Sequence, residues 1–288
     1  MGRLSIYAEL FKIKQTFLLV FSGVLGYLIA AQLSINPYIL LMFIFASTFS
    51  VCGTTGLNMY YDKDIDALMY RTKKRPLPTK RLPPGEAYTV SLIFTAVGIG
   101  LGFLINHWVG ISILIGFLVD VLVYTIALKR RTPINIVLGA IAGGMPIFGG
   151  YVAFTGYVDE YAILLSLIVI LWAMLHIWYI AIYYIEDYRI AKVPMLPVVV
   201  GEKKTIYASF FGLLGIFLVA LYIWFTGFGG IFSLITSCIF TTLIVIFSIA
   251  FLRTNKKQYS RKSYKVLSPY LGVYLLVLYL ERIIPLLL

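Results

Sequence analysis

The apolar residues of this 288-residue chain gather into nine long runs rather than short alternating stretches. They lie near 16–33, 38–60, 87–106, 108–128, 135–156, 161–185, 205–227, 230–252 and 266–287. Each is about long enough to cross a ~30 Å hydrocarbon core, which takes roughly 20 helical residues. A bilayer offers no water to bond to the backbone, so such runs predict helices that satisfy their own polar groups. The expected fold is therefore all-α: a polytopic membrane protein with nine transmembrane helices and one domain spanning 1–288. The fifth run carries Gly139, Gly143, Gly144, Gly149 and Gly150. Residues this small let neighbouring helix backbones approach closely.

Composition supports the pattern. The chain is 61% hydrophobic and 12% charged, against roughly half and one quarter in a soluble domain. A net charge of +12 raises the question of nucleic acid, but the distribution answers it. Lys and Arg stand at the N-terminus (Arg3, Lys12, Lys14) and after runs two, four, six and eight, with only Arg282 elsewhere. No nucleic-acid-binding motif accompanies them. The positive-inside rule then predicts a cytoplasmic N-terminus, an outer C-terminus and a multi-pass protein of the cell membrane. The amphipathic start, MGRLSIYAELFKIKQ, does not read as a cleavable signal. Cys52 and Cys238 lie inside apolar runs, so no disulfide framework is implied.

The chemistry concentrates in 58-NMYYDKDIDALMYRTKKRPLP-78, where the second run leaves the membrane. Asn58, Asp62 and Asp66 are spaced i, i+4, i+8, which on a helix places them within an arc of ~80°. Asp64 falls roughly opposite. Arg71, Lys73, Lys74, Arg75 and Lys80 follow. An oxygen-donor stripe beside a basic cluster suits a Mg²⁺–diphosphate, with oxygens on the metal and Arg or Lys on the phosphate. The plainer alternative is a helix end dressed with snorkelling charges.

Two further constellations share the same predicted face. At the end of the sixth run, His176, Tyr179, Tyr183 and Asp187 are spaced along one helix stripe, with Glu186 beside Asp187. An ionisable group such as His176 within a span is a functional candidate by default, the alternative being a buried imidazole bonded to a neighbouring helix. Between runs four and five, 129-KRRTPIN-135 offers Lys129 and Arg130, which read either as phosphate ligands or as topology charges. Asp120 inside run four should face the bundle, where it binds something or only locks helices. Ionisable stripes also mark transporters, but here the carboxylates gather at one membrane face beside a basic loop.

The pattern N-x-x-x-D-x-x-I-D-x-x-M-x-R-T-x-x-R, from Asn58 to Arg75, resembles the signature of the UbiA-type intramembrane prenyltransferases. That resemblance implies nine helices around a central cavity, Mg²⁺ as cofactor, and an isoprenyl diphosphate as donor. The stretches KRRTPINIVLGAIAGGMP and EDYRIAKVPMLPVV are similar to the haem-modifying branch of that family. The branch implies transfer of a farnesyl or longer isoprenyl group to the vinyl group of haem b, giving haem O. The alternative acceptors are an aromatic acid, a quinone precursor or a glycerol phosphate lipid. Membrane lipid surrounds such an enzyme, and contact with other haem-synthesis or oxidase-assembly proteins is left open. By the same resemblance Asn58, Asp62 and Asp66 hold one Mg²⁺, and Asp187 with Glu186 holds or orients another. Asp62, Asp66 and Asp187 are thus the expected catalytic carboxylates. Arg71, Arg75, Lys129 and Arg130 neutralise the diphosphate, while His176 positions the porphyrin or ligates its iron, with Tyr183 on the same stripe. The sequence departs from the branch at Lys12-Ile13-Lys14, Ala173, Leu175, Tyr184 and Lys192.

Overall fold

The computed structural model describes residues 2–287. Among them no strand occurs, and nine helices are long and apolar enough to cross a membrane. They run Ile13–Ala31, Pro37–Tyr61, Pro84–Ile105, His107–Leu128, Asn135–Thr155, Glu160–Tyr183, Glu202–Phe225, Ile231–Thr254 and Lys257–Leu287. The apolar runs locate all nine. Two differ in kind from expectation. The ninth starts at Lys257 rather than near 266, because the polar stretch before the run continues the helix. That stretch buries Ser260 and Ser263 and leaves Lys257, Arg261 and Lys262 outside. The fourth is α-helical over His107–Phe117 and then π-helical over Leu118–Leu128. Its last turn shows the wider register directly: the Lys129 N–H donates to the Tyr124 carbonyl at 2.8 Å.

Spans adjacent in sequence pack side by side, and the ninth closes the ring against the first. The fifth span also packs along the first. A Cβ at Gly150 would lie 1.8 Å from the Gly23 carbonyl oxygen, so this crossing exists only because both positions lack side chains.

The short elements sit at the basic end of the bundle: Arg3–Leu10, Lys63–Leu68, Ile185–Ile190 and Leu196–Val200. The N-terminal helix is strapped to the loop after the second span. Arg81 donates to both Glu9 oxygens, at 3.0 and 2.6 Å, and Arg3 donates to Glu86. The Arg81 guanidinium holds the Glu9 carboxyl below the usual carboxylate range. At the other end Glu281 accepts from the N–H groups of Gly230 and Ser233, capping the eighth span. Arg282, the one base outside the basic loops, donates to the carbonyls of Ile29 and Phe228 and so ties the ninth span to its neighbours.

Candidate active site

A cavity of about 700 Å³ opens between the first, second, fourth, fifth, sixth and ninth spans. Its polar end is lined by Asn58, Asp62, Asp66, Arg71, Arg75 and Lys129. Deeper in, the walls are apolar, including Phe43, Met145, Trp172 and Leu275. An apolar pocket with few convergent polar groups is the form of a small-molecule site.

The stripe read from spacing exists. The second span ends at Tyr61, and Asp62 joins it to Lys63–Leu68 without losing register. The Asp62 N–H bonds to the Asn58 carbonyl at 3.0 Å, and the Asp66 N–H to the Asp62 carbonyl at 2.8 Å. Two consecutive i→i−4 bonds keep the three side chains on one face. All three are buried, Asp62 to 1% exposure and Asp66 to 3%.

Each of the three meets a cation. Lys129 donates to Asp62 Oδ2, Arg75 to Asp66 Oδ2 at 2.6 Å, and Lys12 to Asn58 Oδ1 at 3.2 Å. Asp62 Oδ1 is buried with no partner. Burial lowers the Lys129 pKa, but Tyr124, Asp62 and Asp66 outweigh it and hold the pKa above its ordinary value. For Lys12, enclosure pulls the ammonium down to about 8. Arg75 and Lys129 push the same way, and Asp62 and Asp120 oppose them. In the sequence Lys12 stands as a topology charge and as part of the departure at Lys12-Ile13-Lys14. Its backbone sits at φ 45°, ψ 53°, a left-handed break between the N-terminal helix and the first span. That break turns the ammonium into the cavity, and nothing in the local pattern announces it.

The structure separates other expected members. Arg130 donates to Asp64 and to the Tyr61 carbonyl, away from the cavity lining. It lies one position past Lys129, in the turn that follows the π-helix. Glu186 is exposed and pairs with Arg189 at 2.7 Å. Asp187 accepts from the backbone N–H groups of Tyr70 at 3.3 Å and Arg71 at 3.1 Å. Asp187 thus binds the loop backbone rather than a side chain of the stripe, and among the described residues no three or more His, Cys, Asp or Glu group as a metal site. The contact does place the inner ends of the second and sixth spans side by side.

The stripe predicted on the sixth span is also broken. The helix stops at Tyr183, and Tyr184 at φ −104°, ψ 32° shifts the register before Ile185–Ile190. Tyr183 lies under the Arg261 guanidinium rather than in the cavity. Tyr179 faces the eighth span, its hydroxyl 2.7 Å from Ser248 Oγ. The cavity face is instead Trp172, Ala173, His176, Ile177 and Ile180. His176 stacks on Trp172 and meets a tilted Tyr264 ring, with centroids 4.8 and 4.9 Å away. Its Nδ1 is buried and unpartnered.

Residues 19–270 match the UbiA prenyltransferase family. The protoheme IX farnesyltransferase of Korarchaeum cryptofilum is 42% identical over 284 residues, covering 98% of this chain and 95% of that one. That of Hyperthermus butylicus is 40% identical over 288 residues, with 98% and 95% covered. Among solved structures, a digeranylgeranylglyceryl phosphate synthase superposes with a TM-score of 0.82 at 25% identity, covering 98% of this chain and 99% of its own. A UbiA homologue from Archaeoglobus fulgidus bound to DMAPP and Mg²⁺ superposes with a TM-score of 0.72 at 14% identity, covering 94% and 99%, and shows the same fold.

The donor set at the polar end fits a hard divalent ion. Mg²⁺ takes oxygen ligands, uses one or two protein carboxylates and leaves the rest of its shell to water and phosphate. Asp62 offers a free buried oxygen, and Asp66 and Asn58 lie one and the other side of it on the same face.

Proposed function

The chain belongs to the UbiA prenyltransferase family and is a multi-pass membrane prenyltransferase; on that footing we propose that it transfers a farnesyl group from farnesyl diphosphate to the vinyl group of haem b. The observation that carries the reading is the polar cavity end, where three oxygen donors and three cations face one another above an apolar chamber. Haem as acceptor is supported by near-full-length relatives named protoheme IX farnesyltransferase and by an unpartnered imidazole nitrogen on the cavity wall.

In this reading Asn58, Asp62 and Asp66 hold a Mg²⁺ ion. When bound, the ion stabilises negative charge on the departing diphosphate. Lys129 and Arg75, leaving Asp62 and Asp66, and Lys12 and Arg71, leaving Asn58 and the Tyr188 hydroxyl, pair with the phosphate oxygens, so the allylic C–O bond ionises against preorganised positive charge. Arg130 holds the outer side of the site through Asp64. Asp187 anchors the loop that presents Arg71 and Arg75 and so acts by positioning, with Glu186 at its rim. The apolar walls shield the prenyl cation from water until the vinyl carbon attacks. His176 orients the porphyrin or ligates its iron. The described chain works as one domain, with the N-terminus and the site at the cytoplasmic side of the cell membrane and the C-terminus outside.

A second reading changes the acceptor to a glycerol phosphate lipid, favoured by the superposition on the digeranylgeranylglyceryl phosphate synthase. Purified protein with Mg²⁺ is offered haem b, 4-hydroxybenzoate or geranylgeranylglyceryl phosphate, each with farnesyl and geranylgeranyl diphosphate, and products are read by mass spectrometry. A prenylated haem from the farnesyl arm is expected. A prenylated lipid or benzoate with haem unchanged overturns the assignment.

A further inference from the structure

Asp120 is the one carboxylate on the cavity lining that no cation or hydrogen-bond donor holds. Three carboxylates line the chamber. Asp62 is bonded to Lys129 and Asp66 to Arg75. Asp120 has no hydrogen bond to its side chain among the described residues; only its backbone carbonyl is engaged, by Thr125 Oγ1 at 2.7 Å. Thr125 in turn accepts from Asn58 Nδ2 at 2.8 Å, which ties this part of the fourth span to the oxygen-donor stripe.

The π-helical register is what brings Asp120 there. Nine residues of α-helix turn through ~900°, so Asp120 and Lys129 would stand on opposite faces. Bonds from i to i+5 widen each turn to a little over four residues, so two turns span about nine and the two side chains align. Both line the cavity, as does Tyr124 between them. Its charge reaches Lys12 across the chamber, opposing the effects that lower that ammonium. A charge within a span is costly, and here no ion pair or side-chain hydrogen bond holds it. The Asp120 side chain is left available to what enters the cavity.

We propose that Asp120 is a catalytic residue: its carboxylate takes the proton from the water that captures the product cation. The inference rests on haem b being the acceptor. The vinyl π pair forms the new bond to C1 of the prenyl group while the C1–O bond breaks and diphosphate leaves with that pair. Positive charge then resides on the vinyl carbon next to the porphyrin ring. A water lone pair adds to that carbon, and one water proton passes to an Asp120 oxygen, leaving a hydroxyl on the product. Asp62 and Asp66 are poor substitutes, since their oxygens are engaged by cations or metal.

The test uses purified full-length protein with Mg²⁺, farnesyl diphosphate and haem b. It compares wild type with Asp120→Asn, Asp120→Ser and Asp120→Glu. Diphosphate release is counted alongside hydroxylated prenyl haem and the product lighter by one water, after thermal unfolding has shown which variants fold. Wild type should give the hydroxylated product. In Asn or Ser the hydroxylated product per diphosphate released should fall by about 10²-fold, the scale of a lost general base. The lighter product should replace it, and Glu should restore the wild-type ratio. An unchanged ratio in a folded Asn or Ser variant, at whatever rate, overturns the role of Asp120 and leaves the acceptor assignment standing. No prenyl haem from wild type overturns the acceptor assignment and this inference together.

Discussion

The Lys129 ammonium, just past the fourth span, donates to Oδ2 of Asp62, at the end of the second, and leaves Oδ1 of that carboxylate buried without a partner. Together with Arg75 on Asp66 and Lys12 on Asn58, this means every donor of the proposed metal site carries a cation in the free protein. A bare divalent ion entering must displace that positive charge. A metal arriving with diphosphate brings the anion that takes those cations over. Metal and diphosphate should therefore bind with positive coupling, on the order of 5–150-fold. Titration of Mn²⁺ by electron paramagnetic resonance, with and without inorganic pyrophosphate, measures it. Lys129→Met should tighten Mn²⁺ binding alone and shrink the coupling.

Arg75 and Asp66 form an ion pair in the cavity wall, at 2.6 Å with Asp66 4% exposed in its side chain. Arg75→Met strands a buried carboxylate and should cost on the order of 3 kcal/mol. The double variant with Asp66→Asn should recover most of that. Thermal unfolding in detergent, compared across the cycle, checks both signs.

The approach of the first and fifth spans makes a sharper structural forecast. Gly150→Ala drives a methyl group into the Gly23 carbonyl, whereas Gly272→Ala meets nothing within 4 Å. The first should lower stability by about 1–3 kcal/mol or more, and the second should leave the unfolding midpoint within about a degree of wild type.

The strap between Glu9 of the N-terminal helix and Arg81 of the loop after the second span should be sensitive to acid. Arg81 lowers the Glu9 pKa in the folded state, so the contact contributes above the ordinary carboxylate range and fades as pH falls through the folded pKa. The effect is modest for an exposed pair. Hydrogen exchange of the Arg3–Leu10 amides, corrected for its intrinsic pH dependence, should accelerate as pH falls below the ordinary carboxylate range, and Glu9→Gln should show that acceleration at neutral pH.

These elements show how far the sequence reaches. Apolar run length is sufficient for nine spans because a bilayer permits little else. The i, i+4, i+8 spacing is sufficient for Asn58, Asp62 and Asp66 because the helical bonds continue through the Asp62 junction. The sixth-span stripe fails twice: within the helix Tyr179 turns to Ser248 and Tyr183 to Arg261, and beyond it Tyr184 leaves helical geometry and shifts Asp187 out of register. The fourth span hides its register, since side-chain spacing alone does not distinguish i→i+4 from i→i+5 bonding. A faint signal was present: Asp120 and Lys129 both need to avoid lipid, and an α-helix places them on opposite sides. Lys12 reaches the site through a left-handed backbone break that no apolar pattern encodes.

The central claim is that Asp62 holds the metal on which diphosphate departure depends. Its most direct measurement is Mg²⁺-dependent diphosphate release from farnesyl diphosphate and haem b by Asp62→Ala protein shown to be inserted and folded. Release should fall by about 10²–10³-fold, the scale of losing one preorganised charge-stabilising group. Near wild-type release at the same Mg²⁺ concentration would contradict the account.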